Sequence, residues 1–377
     1  MVDHLTPWGL VEMNPPSAEQ ADELSRFLQS QASPGYCITE KNAIHRWKIC
    51  NNEARPGFAC AMAIQDSGET ISICTVTPKR LWRNGTEQFW GEVGDAFTDP
   101  AYHRKGMFTV LVNANRAMAQ AAGVDIIYSV PDDQSMSLPP FIKKCDFAVK
   151  EDLKFSNHFA ILGTKAIAAR GLVSRVAWLR RMLGSSVGAA ASRGIFSRLL
   201  ALALPRNPHV EVAVERTFGT EFDVFWQRVR NALPNAQVRD ARYLNWRFGE
   251  SPFPFKVLVA RVAGEIVGYA ATLTVRHAGE DAFSHAILLD WLYDASGAQE
   301  TGAVLLSATM KQAIEDKADV VSAVACTTGV LKMPFARCGF MRRPRDMSVV
   351  LHRNPAGRAL LDDPSPWHFT LSDTDAF

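Results

Sequence analysis

No stretch of this 377-residue chain approaches 18 consecutive apolar residues, and Met1–Glu12 lacks a basic start followed by an apolar run. The first absence argues against a transmembrane helix and the second against a secretory signal, so the expected location is the cytoplasm. The seven cysteines (Cys37, Cys50, Cys60, Cys74, Cys145, Cys326, Cys338) are scattered, odd in number and without a C-x-x-C pair. A disulfide framework and a cysteine zinc site are therefore not expected. The nine histidines form neither H-E-x-x-H nor a cluster, so no metal is expected. Neither sign of charge dominates. With 41 Lys+Arg against 39 Asp+Glu the chain has no global field for nucleic acid, which is not an expected partner. G-x-x-x-x-G-K-[ST] and G-x-G-x-x-G are both missing, leaving no support for a P-loop NTPase or a dinucleotide fold. Gly184–Gly188 matches G-x-S-x-G but follows a basic helical segment instead of a strand, so it lacks the nucleophile-elbow setting.

What the chain does have is 47% apolar and 21% charged side chains, the balance of a folded globular protein, at a length that suits two domains. The pattern predicts a strand at Gly9–Met13, then a helix to about Gln31 opened by the capping-box spacing Ser17-Ala18-Glu19-Gln20. A hairpin follows, Phe58–Gln65 and Thr70–Thr77 around Gly68, then a strand Gln88–Thr98, a charged turn, a helix Met107–Ala122 and a strand Asp125–Val130. Antiparallel strands feeding a strand–turn–helix–strand unit predict an α/β domain with a mixed (α+β) sheet. Asn84-Gly85-Thr86 reads as a turn. Landmarks then recur in order: Trp47-Lys48 as Trp246-Arg247, Gly68-Glu69 as Gly264-Glu265, Asp95 and Asp99 as Asp290 and Asp294, and Phe147 as Phe340. Such an ordered set predicts a duplicated domain.

Between the copies, Leu153–Val210 carries nine Lys/Arg and no acid. Leu172, Val176, Leu179 and Leu183 form an apolar helical stripe within it, Gly184-Ser185-Ser186 breaks the helix, and Ile195–Leu204 resumes one. Two readings stand: a basic pair of linker helices packed across both domains, or a basic amphipathic surface over 165–204. The second would rest on an acidic partner or on an anionic membrane, making the protein peripheral to the inner membrane.

The chemistry is expected where Glu92–Thr98 ends in a turn, Asp99–Gly106, that opens a helix at Met107-Phe108-Thr109. Such a turn aims several N–H groups at one point, and the helix dipole with Arg104 and Lys105 makes that point a site for a pyrophosphate. Gly106 permits close approach of the backbone.

These residues resemble the GNAT acetyltransferase superfamily. Its strand ending in V-x-P, its R/Q-x-x-G-x-G/A turn and its late aromatic-x-x-x-G-F appear here as Thr98-Asp99-Pro100, His103–Phe108 and Phe141–Phe147. Thr98, His103, Phe108 and Asp146 depart from the usual residue types. The likeness covers residues 9–150, and the second copy, 209–348, keeps the hairpin, the strand Ala286–Tyr293 and Phe335–Phe340, but has no Arg or Lys in its turn Ala295–Thr301. The resemblance implies three segments: a GNAT-like, acyl-CoA-binding domain (1–160), a basic helical linker (161–206), and a degenerate GNAT-like domain with a C-terminal tail (207–377).

It also implies an N-acyltransferase that uses acetyl-CoA or another acyl-CoA and acts on an amine of a small molecule or amino sugar. The combination of features is similar to GNAT proteins of bacterial surface-polysaccharide pathways. Phe97, Thr98, His103, Arg104, Lys105, Gly106, Met107, Phe108 and Thr109 would hold the coenzyme. Glu92 would be the base, with Asp95 as the alternate. The family's acid tyrosine falls at Phe141 or Ile142, so no tyrosine is there; Tyr128 and Tyr102 are substitutes, with a core role also open to Tyr128. Cys145 is read as a buried structural thiol, Trp47 and Trp246 as core anchors, and the acidic tail (Asp362, Asp363, Asp373, Asp375) as solvated unless it folds back toward an amine. Two other readings stay open: a Fem-type transferase drawing on charged tRNA, for which the basic turn is not needed, and a non-catalytic scaffold.

Overall fold

The computed structural model describes residues 8–31, 43–54, 59–65, 68–133, 135–163, 204–276, 283–297, 300–345 and 347–374. The basic stretch 165–203 and Gly184–Gly188 lie outside them.

The first copy begins with β1 (Trp8–Met13), α1 (Ala18–Gln31) and a short α2 (Ala43–His45) that runs into a π-helical turn, Arg46–Cys50. The capping box forms as read: the Ser17 N–H donates to Gln20 Oε1 (2.8 Å) and the Gln20 N–H to Ser17 Oγ (3.2 Å). Next come β2 (Ala59–Gln65), β3 (Thr70–Arg83), β4 (Thr86–Thr98), α3 (Met107–Ala121), β5 (Ile126–Ser129), α4 (Leu138–Lys144), β6 (Phe147–Val149) and β7 (Phe155–Ile161). The second copy repeats the plan. β8 (Glu211–Glu215), α5 (Thr220–Val229), β9 (Asn235–Gln237) and α6 (Ala241–Leu244) lead into a second π-helical turn, Asn245–Gly249. β10 (Lys256–Val262), β11 (Glu265–Arg276), β12 (Ser284–Tyr293), α7 (Thr301–Glu315), β13 (Val320–Cys326), β14 (Met341–Arg345), β15 (Val350–His352), α8 (Pro355–Leu361) and β16 (Trp367–His368) complete it.

The two sheets have matching orders: β1-β2-β3-β4-β5-β15-β6 and β8-β10-β11-β12-β13-β7-β14. Along these paths each contains one strand supplied by the other half of the chain, and β9 and β16 of the second half join the first sheet off its path. β7 lies between β13 and β14, and β15 lies between β5 and β6. The sheets thus cross the boundaries read from the sequence, since 155–160 falls within 1–160 yet builds the second sheet. Trp47 and Trp246 face each other across the repeat. Their rings stack at 5.0 Å, and each indole N–H donates to the other residue's carbonyl, at 2.7 and 3.4 Å.

The β3–β4 hairpin runs longer than the apolar pattern predicts. Asn84 and Gly85, both at positive φ, turn it in the manner of a type I′ hairpin. Lys79 and Arg80 are buried in it because each has an acidic partner, Glu92 for the first and Glu53 with Asp240 for the second. The far end of β3 pairs with β9 of the second copy, which in turn pairs with β16. α3 packs its buried face, Met107, Leu111, Val112 and Ala119, on the first sheet, and α7 does the same for the second.

Candidate active site

β4 and β5 run parallel only from Trp90↔Ile126 to Glu92↔Tyr128. Beyond that pair they part. The Ser129 hydroxyl donating to the Val93 carbonyl (2.8 Å) is a further tie, and a cavity of about 320 Å³ opens in the gap. Val93, Gly94, Ala96, Pro131 and Phe141 line it, with Leu371 of the tail on its wall and Glu92 among its lining residues.

A β-bulge shapes the β4 wall. Thr75 faces Gly94 while Ile73 faces Phe97, so β4 carries one residue more than β3, and Asp95 takes φ +45° there. Its Oδ2 accepts from Lys48 Nζ (2.7 Å), Thr75 Oγ1 (3.1 Å) and His45 Nε2 (3.1 Å). Burial alone would raise the Asp95 pKa. The Lys48 charge and the His45 hydrogen bond outweigh it and hold the carboxyl well below the ordinary range. A carboxylate engaged in this way has little affinity for another proton, so Asp95 fits an anchor of the bulge better than the alternate base. His45 Nδ1 lies 2.8 Å from the Ser25 hydroxyl, giving a hydroxyl–imidazole–carboxylate line like that of a hydrolase. Ser25, however, is buried within α1, 3.0 Å from the Ala21 carbonyl, and the line serves as a brace between α1 and the bulge.

Glu92 is buried at the closed end of the gap. Its Oε2 pairs with Lys79 Nζ and lies 3.3 Å from the Tyr128 hydroxyl. Tyr128 is itself fully buried and stacks on Trp90 at 4.1 Å, the core role left open for it. Lys79 Nζ and the Tyr128 hydroxyl each donate to the Asp373 carbonyl, both at 2.8 Å. From Trp367 to Thr374 the tail expected in solvent is therefore inside the protein, whereas Asp362 is exposed as expected and Asp375 lies outside the described residues. Trp367 and Phe369 give it the apolar surface that drives this. The Asp373 carboxylate turns away from the cleft, to Arg239.

At the other end, the Asp99 side chain accepts from the Ala101 N–H (2.8 Å), and His103 Nε2 ties back to the Thr98 carbonyl (3.0 Å). The Phe97 carbonyl accepts from Ser72 Oγ (2.9 Å), so both carbonyls already have partners. Arg104 and Gly106 take φ +63° and +83°, a left-handed path that brings the chain into α3. Among the described residues, the N–H groups of Gly106, Met107 and Phe108 have no acceptor. His103, Arg104, Lys105 and Gly106 are exposed, and Lys105 Nζ sits 4.5 Å from the centre of the Tyr102 ring. Met107 is buried and Phe108 packs edge-on against Phe141, so these two offer main chain only. Thr109 lies within hydrogen-bond reach of Cys145, whose thiol is pushed up by burial. Phe141 is a core residue and supplies no hydroxyl.

The second copy lacks this arrangement. Glu300, at positive φ, caps α7 and pairs with Arg337 (3.1 Å), and the Tyr293 ring stands 3.1 Å from where a Cβ on Gly302 would be. The β12–β13 pairing ends at Leu288↔Ala323, and past it the tail fills in. His368 Nε2 bonds the Trp291 carbonyl (2.7 Å) and Thr370 Oγ1 the Asp290 carboxylate (2.8 Å). Among the described residues no group of side chains is arranged to hold a metal ion, and no helix is long and apolar enough to cross a membrane.

No family model and no curated protein matches the sequence. Solved structures do match in fold. Over 93% of the chain and 79% of its partner, it is similar to Saccharomyces cerevisiae N-myristoyltransferase with bound myristoyl-CoA, at TM-score 0.63 and 12% identity. It is similar to a probable N-acyltransferase of Enterococcus faecalis V583 over 91% of the chain and 72% of the other (TM-score 0.53, 12% identity). A tandem GNAT protein from the clavulanic acid biosynthesis pathway aligns over 91% of the chain and 97% of its own, at TM-score 0.56 and 12% identity. With the repeated strand order, these likenesses establish a mixed α/β protein with the tandem GNAT fold.

Proposed function

We propose that the chain is an acyl-CoA-dependent N-acyltransferase whose first copy binds the coenzyme. The observation that carries this is the joining of two features along one strand: a cleft where β4 leaves β5, and a basic helix-opening turn with unpaired N–H groups where β4 ends. The pantetheine arm of a coenzyme A thioester would enter the cleft, and its diphosphate would meet the N–H groups of Gly106–Phe108 with the charges of Arg104 and Lys105. An N-myristoyltransferase solved with myristoyl-CoA bound and a tandem GNAT protein, both similar in fold, support the same reading.

In the reaction an amine attacks the thioester carbonyl carbon, the C–S bond breaks, and coenzyme A leaves as a thiolate. Glu92, at the closed end of the cleft, takes the proton that the amine loses. Proximity supplies much of the rate, so a missing acid tyrosine slows the step without abolishing it. The acyl group proposed is acetyl, and the acceptor an amine of a small molecule or amino sugar, as in surface-polysaccharide pathways. Thermal-shift titration with acetyl-CoA tests the reading. At a hundredfold excess over Kd, binding adds about 2.7 kcal/mol of stability, whereas no shift at millimolar acetyl-CoA or longer acyl-CoA removes the proposal.

A further inference from the structure

Glu92 belongs to the first copy, yet the groups arranged around it are governed from the second. From β3 it meets Lys79 and from β5 Tyr128, and both of these donors also reach the main-chain carbonyl of Asp373 in the tail. That carbonyl draws on the same two donors as the carboxylate. A tyrosine hydroxyl has one proton to give, and it lies 2.8 Å from the carbonyl against 3.3 Å from Glu92. Lys79, with three N–H donors, serves both acceptors at once. The tyrosine proton given to the carbonyl is one that does not stabilise the Glu92 anion, and a carboxylate with fewer donors keeps more affinity for a proton.

The carbonyl is held in place by a cluster of the second copy. Both Asp373 oxygens accept from Arg239 (2.8 Å), and Asp373 Oδ2 also accepts the Thr370 N–H (2.7 Å), closing a capping box over Leu371–Asp373. Arg239 bonds Asp290 as well (3.0 and 3.1 Å), and Asp290 accepts from the Tyr269 (2.6 Å) and Thr370 (2.8 Å) hydroxyls. Arg239, Asp290 and Asp373 are all fully buried. Asp290 is also the residue that recurs at the place of Asp95, the bulge anchor of the first copy.

We propose that this buried cluster of the second copy sets the basicity of Glu92, by holding the Asp373 carbonyl where it competes with the carboxylate for the Tyr128 hydroxyl. Arg239, Asp290, Thr370 and Asp373 are thus positioning residues for the first copy's site. The inference rests on the reading of Glu92 as the proton acceptor, but its test needs no acceptor and no turnover.

In the full chain labelled with [δ-13C]glutamate, the Glu92 signal is assigned by its loss in Glu92→Gln and titrated by NMR. Thr370→Val and Asp373→Asn loosen the carbonyl, freeing the Tyr128 hydroxyl for Glu92, so its titration midpoint falls by about one pH unit. Tyr128→Phe removes a hydroxyl already committed to the carbonyl, so the midpoint changes by no more than about 0.3 unit. A purely structural cluster would lower the melting temperature of the first two variants and leave the midpoint unmoved, which overturns the proposal. A rise of about one unit in Tyr128→Phe would also overturn it, because the hydroxyl would then have been serving Glu92. Should Asp373→Asn fail to fold, Thr370→Val and Tyr128→Phe decide the matter. Full turnover by Glu92→Gln would refute the base role alone, and the titration would still answer for the coupling.

Discussion

Glu92 and Asp95 are both carboxylates paired with a lysine, and they differ in place: Glu92 lines the cleft, whereas Asp95 anchors the bulge. Three donors converge on one oxygen of Asp95 and tie it to Lys48 and His45. Asp95→Asn therefore removes the carboxylate charge that faces the buried Lys48 ammonium and is expected to cost about 3 kcal/mol in urea unfolding. Glu92→Gln is expected to cut kcat by about a hundredfold or more, with the KM for acyl-CoA little changed. Arg104→Ala touches no packing, since the side chain is exposed. It should raise the acyl-CoA KM by roughly tenfold and leave kcat alone. Steady-state kinetics separates the two, and a Glu92→Gln enzyme with wild-type kcat would remove Glu92 from the mechanism.

Elements position these residues through geometry that the sequence shows unevenly. β4 must lie close against β3 and β5 before it leaves β5, and Gly91 allows this. A Cβ there would stand 2.6 Å from Val76 Cγ1 and 3.0 Å from Val124 Cγ1. Gly91→Ala should overpack the strand and cost about 1–3 kcal/mol, readable as a lowered urea midpoint. Gly106 has open space around it, so an alanine would suffer only from the left-handed φ, a loss of roughly 1 kcal/mol. The helix-opening turn, the capping box, β1, α1, β4, α3 and β5 were legible because periodicity and turn residues are local signals. The continuation of β3 past Thr77 was not, because Lys79 and Arg80 look like solvent-facing residues until their partners Glu92, Glu53 and Asp240 are in place. The tail was misread for the same reason. Its acids suggest exposure, and only the distant Arg239 explains the burial of Asp373.

The whole molecule is two copies that cannot be taken apart without breaking both sheets. Trp47 and Trp246 were legible as repeat landmarks, but strand exchange depends on pairing between β7 and β13 and between β15 and β5, about which neighbouring residues carry no information. Separate pieces covering 1–163 and 204–377 should each fail to unfold cooperatively, and mixing them should restore one transition, as followed by circular dichroism. The tail also makes the fold sensitive to acid. Burial first, and the nearby Arg239 charge second, push the His368 imidazole down to about 3. In the unfolded chain it returns to about 6.5, so the unfolded state binds the extra proton between those values and stability falls as the pH drops below about 6.5. By pH 5 the loss is about 2 kcal/mol, and His368→Gln should lack that part of the pH dependence in urea melts. All of this serves one claim, that the main chain between β4 and α3 cradles the diphosphate of coenzyme A. The measurement that tests it most directly is a crystal structure of the full chain with acetyl-CoA. The account predicts diphosphate oxygens within hydrogen-bond distance of the Gly106, Met107 and Phe108 N–H groups and the thioester beside Glu92, whereas coenzyme bound elsewhere with this turn empty would contradict it.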